Sequence, residues 1–176
     1  MLDLETMGRG PNAAITAVGA VYFDPTTGKL GETFYSTVEL ESSVAGGGQM
    51  DASTVLWWMQ QSADARSMYA AAGEHINVVL LRFAEFCKHG DDAFPKVWGN
   101  GAPFDNVILR SAYGRAGITC PWEFWNDRCY RTMRAMLPQV DVERSGTHHN
   151  ALDDATTQAR VLMAAMAKGG LSGPAR

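Results

Sequence analysis

The sequence predicts an α/β fold in a single domain, and three observations carry that prediction. The first 38 residues alternate β-branched and aromatic runs with turn residues, residues 74–88 repeat apolar side chains at helical spacing, and a late helix carries alanines every four residues. A chain of 176 residues is long enough to bury a sizeable core without disulfides or a structural metal.

The opening Leu2-Asp3-Leu4-Glu5-Thr6 reads as a strand. Side chains alternate across a strand, so Leu2 and Leu4 point into a core while Asp3 and Glu5 share the other face. Two carboxylates so close resist ionising together unless a shared cation compensates them, and a divalent metal is the natural candidate. The alternative for so short a pattern is an exposed strand edge with two solvated acids. Met7 to Asn12 is a turn by its Gly and Pro content, and Ile15 to Phe23 is the second strand. Asp24-Pro25-Thr26-Thr27-Gly28 is a hairpin connection, after which Thr33 to Val38 returns as a third antiparallel strand.

Gly46-Gly47-Gly48 marks a loop, and Asp51 or Ser53 is placed to cap a helix from about Thr54 that carries Trp57 and Trp58. Adjacent helical residues point about 100° apart, so one Trp can pack inward while the other faces a groove, where base stacking and rim packing compete as roles. The helix from Glu74 to Lys88 sets Ile76, Val79, Leu80, Phe83, Phe86 and Cys87 on one face, the pattern of a helix packed on a sheet. Lys96 to Trp98 is a short strand, released through Gly99-Asn100-Gly101-Ala102-Pro103 into a helix with Phe104, Asp105, Val107, Ile108 and Ala112 that Gly117 closes. Asp105 falls in its first turn, where the macrodipole favours a carboxylate. Cys120 to Trp125 is an aromatic connector, and Cys129 to Leu137 is a helix bearing Arg131 and Arg134. Thr147 to Asn150 leads into the last helix, reaching about Ala167. Its Ala151, Ala155 and Ala159 permit close approach to the sheet and hold Asp154 near Asp3 and Glu5, with His149 in the loop just before. The domain is expected over 1–168, with a frayed tail over 169–176.

Composition excludes several classes. The 46% hydrophobic and 19% charged fractions describe a soluble globular chain, and no apolar run approaches membrane-spanning length, so a cytoplasmic protein with no membrane partner is expected. Cys87, Cys120 and Cys129 form no C-x-x-C pair and read as small buried residues in a reducing compartment. A net charge of −4 argues superficially against a polyanionic partner. Two divalent cations held by four acids would bring it to about zero, and Arg110, Arg115, Arg128, Arg131, Arg134, Arg144 and Arg160 all lie in the C-terminal half.

Taken together, Asp3-Leu4-Glu5-Thr6, then Trp98-Gly99-Asn100-Gly101-Ala102-Pro103-Phe104-Asp105, then His149-x-Ala151-x-x-Asp154 resemble the three motifs of the DEDDh group of DnaQ-like 3′-5′ exonucleases. The connecting wording is similar to phage and prophage exonuclease VIII-like proteins and Rv2179c-like exoribonucleases. The resemblance implies an RNase H-like α/β fold, a mixed central sheet flanked by helices, and a two-metal phosphodiesterase. Asp3, Glu5, Asp105 and Asp154 would hold two Mg²⁺ or Mn²⁺ ions, hard cations that demand oxygen ligands, and His149 would be the general base that takes a proton from the attacking water. His148 is then a loop residue, and Asp153 a solvated or capping one. The implied partner is nucleic acid with a free 3′ end, as a single strand or a 3′ overhang, and the implied product a nucleoside 5′-monophosphate. Thr6 and Met7 would receive the terminal nucleotide, Trp57 or Trp58 would stack a base, and Asn100 stands where many members have His-Asn before Phe-Asp. Members are often homodimers, for which the aromatics around Trp122 and Trp125 offer either an interface or ordinary core packing. A noncatalytic module that binds nucleic-acid ends on the same fold is the competing function. The first strand of such proteins usually begins further ahead of its Asp. A shortened start is expected to bring the Met1 ammonium close to the metal ligands and weaken metal affinity.

Overall fold

The computed structural model describes residues 1–69, 72–88, 95–144 and 146–171. Strands β1 (Leu2–Thr6), β2 (Ile15–Asp24) and β3 (Lys29–Thr37) form an antiparallel sheet in the order β1-β2-β3. The expected three-stranded opening is therefore present, with β3 beginning four residues earlier than its β-rich segment because Asp24 pairs with Lys29 across the tight turn. Helices α1 (Leu40–Ala45), α2 (Ala52–Met59) and the short α3 (Ala63–Arg66) follow, then α4 (Ile76–Phe86). Strand β4 (Val97–Gly99) leads into α5 (Asp105–Ala116), and β5 (Asp127–Cys129) pairs in parallel with β4 before α6 (Tyr130–Met136) and α7 (Ala151–Lys168). The tail expected to fray from Gly169 is described only as far as Leu171, and 172–176 lie outside the described residues. Among the described residues no helix is long and apolar enough to cross a membrane.

Alternation along β1 and β2 separates the two faces of the sheet. Leu2 and Leu4 pair with Ala20 and Val18, and this side packs on Val79, Leu80 and Phe83 of α4 and on Ile108, Leu109 and Ala112 of α5. Each such large apolar side chain taken fully from water contributes about 1.5–3 kcal/mol. Asp3 and Glu5 pair with Gly19 and Ala17 on the opposite side, which α7 covers. The bland alternative of an exposed strand edge is thus excluded, since Glu5 is only 7% exposed.

The close approach of α7 rests on small residues at both surfaces. Ala151, Ala155 and Ala159 are fully buried, and a β-carbon at Gly19 would lie 2.2 Å from the Ala151 carbonyl carbon and the Leu152 nitrogen. Asn150 caps the helix, its Oδ1 accepting from the N–H groups of Leu152 and Asp153 at 3.1 and 3.2 Å. Gly117 ends α5 in the left-handed region (φ 65°), as its position in the sequence predicts.

Tertiary contacts account for the elements without a sequence signal. The Asp127 carboxylate receives Arg110 Nη2 on both oxygens at 2.7 and 2.6 Å, together with Asn106 Nδ2 and Trp122 Nε1, and so fixes β5 beside β4. Helix α1 is pinned by its serine hydroxyls, Ser43 accepting from Ile15 N–H and Ser42 from Ile76 N–H. The aromatic connector divides: Trp122 is core, whereas Phe124 and Trp125 are 66% and 61% exposed. The Met1 amine turns away from the acids and donates to the Val21 carbonyl at 2.7 Å, so the expected proximity to the metal ligands is corrected. Burial lowers its pKa to about 5.

Replacing Gly19 by Ala should force α7 off the sheet. Overpacking of this kind costs about 1–3 kcal/mol and more where the clash is with backbone. Urea unfolding should show at least a loss of that size, and an unchanged midpoint would contradict the packing argument.

Candidate active site

Strand β1 and helix α7 bring three acids to one place. One carboxylate oxygen each from Asp3, Glu5 and Asp154 lie within 4.8 Å of one another, from residues 151 positions apart in the chain. Gln158, one turn beyond Asp154 on the same face of α7, donates from Nε2 to Asp3 Oδ1 at 2.8 Å. Asp154 Oδ2 accepts from the His149 N–H at 3.1 Å, and its Oδ1 is paired with the Arg144 guanidinium.

Asp105 stands behind this group. Its Oδ1 accepts from the Leu4 N–H at 3.3 Å, while its Oδ2 is buried with no hydrogen-bond partner. Its oxygens are not among those within 4.8 Å and the residue does not line the cavity. The first-turn position is as expected; hydrogen bonding to β1 turns the carboxylate aside.

The electrostatics are those of acids crowded out of water. Burial, then the charges of Asp105 and Glu5, raises the Asp3 pKa well above its ordinary value. Burial and Asp105 push Glu5 from its ordinary 4.5 to about 8, with Arg144 opposing, and burial carries Asp105 up to about 7 against the pull of hydrogen bonds from Leu4 and Asn100. Glu5 Oε1 is also buried without a hydrogen-bond partner. Buried lone pairs of this kind require a donor or a cation. An all-oxygen set of clustered carboxylates suits Mg²⁺ or Mn²⁺.

A cavity of about 690 Å³ opens over the acids, lined on one wall by Thr54, Trp57, Trp58 and His149 and on another by Asn100, Phe104 and Tyr130. The two tryptophans divide as the helical geometry predicts. Trp58 is 4% exposed and donates from Nε1 to the Thr6 carbonyl at 2.9 Å, whereas Trp57 is 41% exposed and meets the His149 ring edge-on at 4.8 Å. His149 adopts φ 65°, and burial, His148 and Arg144 together lower its pKa, so the imidazole is neutral at pH 7. Asp153 accepts from the Thr147 N–H at 2.7 Å and so ties the preceding loop to the first turn of α7, while the cap itself is Asn150.

The expected substrate contacts are only partly assembled. Thr6 lines the cavity, but its hydroxyl donates to the Gly8 carbonyl. Met7 is packed under Trp58 and does not line it; its N–H donates to Ala14 and its carbonyl accepts from Asp51, so the expected backbone contact is corrected. Asn100 lines the cavity, and its carbonyl accepts from Arg131. Arg110 and Arg115 are engaged within the protein, by Asp127 and by Asn12 with Ser111, while Arg144 faces the acids. Sequence reading missed Gln158, which the four-residue spacing from Asp154 signals, and gave no special place to Arg144, for which a loop supplies no periodic signal.

A family model for the Rv2179c-like 3′-5′ exoribonuclease domain matches residues 1–166. The chain belongs to that family. It is a nuclease hydrolase, a 3′-5′ exonuclease whose substrate is nucleic acid. The exodeoxyribonuclease of Enterobacteria phage T4 is 29% identical over 179 residues, covering 87% of this chain and 78% of the relative. The crystal structure of a full-length 3′-exonuclease shares the fold, with a TM-score of 0.52 and 15% identity over 97% of this chain and 81% of that one.

The raised carboxyl values set the pH dependence of the exonuclease's stability. The folded chain keeps protons that the unfolded chain releases, so this contribution is complete below about pH 4.5 and is lost as the pH rises through about 7 and about 8. In EDTA, urea unfolding should weaken over that window, on the order of a few kcal/mol. Glu5→Gln should flatten the decline, and Mg²⁺ or Mn²⁺ should offset it; a stability rising with pH over this range would refute the electrostatic account.

Proposed function

We propose that this exonuclease is of the DEDDh type, with Asp3, Glu5, Asp105 and Asp154 holding two divalent cations, Mg²⁺ or Mn²⁺, and His149 serving as general base. The observation that carries the reading is the convergence of Asp3, Glu5 and Asp154 within 4.8 Å around a buried, unpartnered Glu5 Oε1. Asp105 joins the set on its charge coupling to Asp3 and Glu5 and on its own unpartnered Oδ2. When bound, the ions supply positive charge to the attacking and leaving oxygens of an in-line displacement.

The chain's own residues do the rest. His149, neutral and held edge-on against Trp57 and Trp58, accepts a proton from the attacking water as its oxygen bonds to phosphorus. The bond from phosphorus to the 3′-oxygen of the penultimate nucleotide breaks, that oxygen takes up a proton, and a nucleoside 5′-monophosphate leaves. Trp57, half open to the cavity, stacks the terminal base, while buried Trp58 braces β1 through the Thr6 carbonyl. The RNase H-like arrangement is supported by β4, which lies beside β1 and would extend the strand order to β3-β2-β1-β4-β5. A 3′ end on either DNA or RNA presents the same phosphodiester to this site.

Purified protein given 3′-labelled DNA and RNA strands, blunt and with 3′ overhangs, should release mononucleotides only with Mg²⁺ or Mn²⁺. His149→Ala should lower kcat by about 10²–10⁴-fold, the usual contribution of a general base, and Asp154→Asn by at least as much. Full turnover by Asp154→Asn would sink the proposal. Trp57→Ala should raise KM about 5- to 150-fold, the equivalent of one stacked base, with a smaller change in kcat. An unchanged KM would remove the stacking role.

A further inference from the structure

His148 and His149 are consecutive, and neighbouring side chains on an ordinary turn diverge. Here His149 takes a left-handed φ of 65°, which costs a residue with a β-carbon about 1–2 kcal/mol. That conformation brings the two imidazoles together, with ring centroids 3.9 Å apart. It is held by the bond from His149 N–H to Asp154 Oδ2 at 3.1 Å and by the edge-on contacts to Trp57 and Trp58. Among the described residues, one nitrogen from each imidazole and one oxygen of Asp154 lie within 4.8 Å of one another.

Two imidazoles and one carboxylate differ in kind from the all-oxygen group of Asp3, Glu5 and Asp154. Magnesium has little use for imidazole, whereas zinc and cobalt bind it readily at about 2.0–2.1 Å, so their ligands sit roughly 3.4 Å apart. His148 is exposed and free to close the remaining gap by rotation of its side chain.

We propose that His148, His149 and Asp154 form a transition-metal site, taking Zn²⁺ in preference to Mg²⁺, that overlaps the exonuclease centre and inhibits it when filled. The overlap follows from shared atoms. Asp154 cannot serve both cation groups in full, and an imidazole whose lone pair is given to zinc cannot accept a proton. The binding half stands on the donor geometry alone; the inhibitory half rests on the reading of His149 as base. Arg144, paired with Asp154, is the native competitor for this position, so its removal should favour the metal.

The test uses the full chain in Mg²⁺, titrated with Co²⁺ as a visible reporter and with Zn²⁺ as competitor, alongside mononucleotide release. Wild type should develop cobalt d–d absorption that zinc abolishes. His148→Asn should weaken cobalt binding by about 10- to 100-fold or more, since even outer-shell partners of a metal account for that much, and should shift zinc inhibition by the same factor. Arg144→Ala should tighten binding. Equal cobalt affinities in wild type and His148→Asn would overturn the site. A His148-dependent cobalt site with unchanged zinc inhibition would overturn the overlap. Absence of magnesium-supported release would overturn the exonuclease reading instead, with the cobalt titration still deciding the metal site.

Discussion

Carboxylates brought together out of water raise one another's proton affinity, as Asp105 does at Asp3 and Glu5, and the approach of α7 to β2 above Gly19 brings Asp154 to the same place. A surface helix could not impose this, because its acid would swing away into solvent. Here Asp154 is fixed from both ends of the packing: the alanine row behind it leaves no room to retreat, and the His149 N–H ahead of it holds one oxygen. The apolar layer of α4 and α5 on the other face of β1 then supplies the burial that keeps the strand in register. The unfavourable charge is concentrated on one face of one strand, and the compensating hydrophobic contacts lie on the other.

Such an arrangement has two ways to relieve its charge, protons and cations, and the raised values of Glu5 and Asp105 express the first. Divalent cations would be the second, since a cation binds best where the acids are ionised. Arg144 is a third, weaker source of positive charge: it pairs with Asp154 and its charge also opposes the rise at Asp3 and Glu5, but burial still outweighs it at both. The site is thus built to be neutralised in alternative ways rather than to exist as bare anions.

Much of this was legible from residue order. Leu2 to Thr6 has strict alternation, and its faces came out as alternation requires. The late helix was readable because small residues at four-residue spacing have a geometric meaning, and the Trp57-Trp58 divergence follows from 100° per residue. The failures share one cause, hydrogen bonds between residues remote in sequence. Asp51 sits at the N-cap of α2 as expected, yet its carboxylate accepts from the Arg9 N–H instead of capping the helix. Strand β5 exists because Asp127 gathers Arg110, Asn106 and Trp122, and Met7 is withdrawn from the cavity by bonds to Ala14 and Asp51. Asp105 combines both lessons: the helical first turn was readable, and the bond to Leu4 that turns its carboxylate was not.

The family model carries an exoribonuclease description while the phage relative is an exodeoxyribonuclease, and the acid cluster itself has no reason to distinguish them. Phosphorus, its oxygens and the attacking water are common to both polymers; the two differ at the 2′-hydroxyl, on the sugar. Groups that could read the sugar line the same cavity: Trp57 and Trp58 of α2 and Asn100 of the β4–α5 loop, beside Thr6 of β1 and Thr157 and Gln158 of α7. The acid cluster depends on the packing of α7 on the sheet, and Trp58 of α2 is tied to the same frame through the Thr6 carbonyl, so of the two tryptophans only the exposed Trp57 can change without disturbing it.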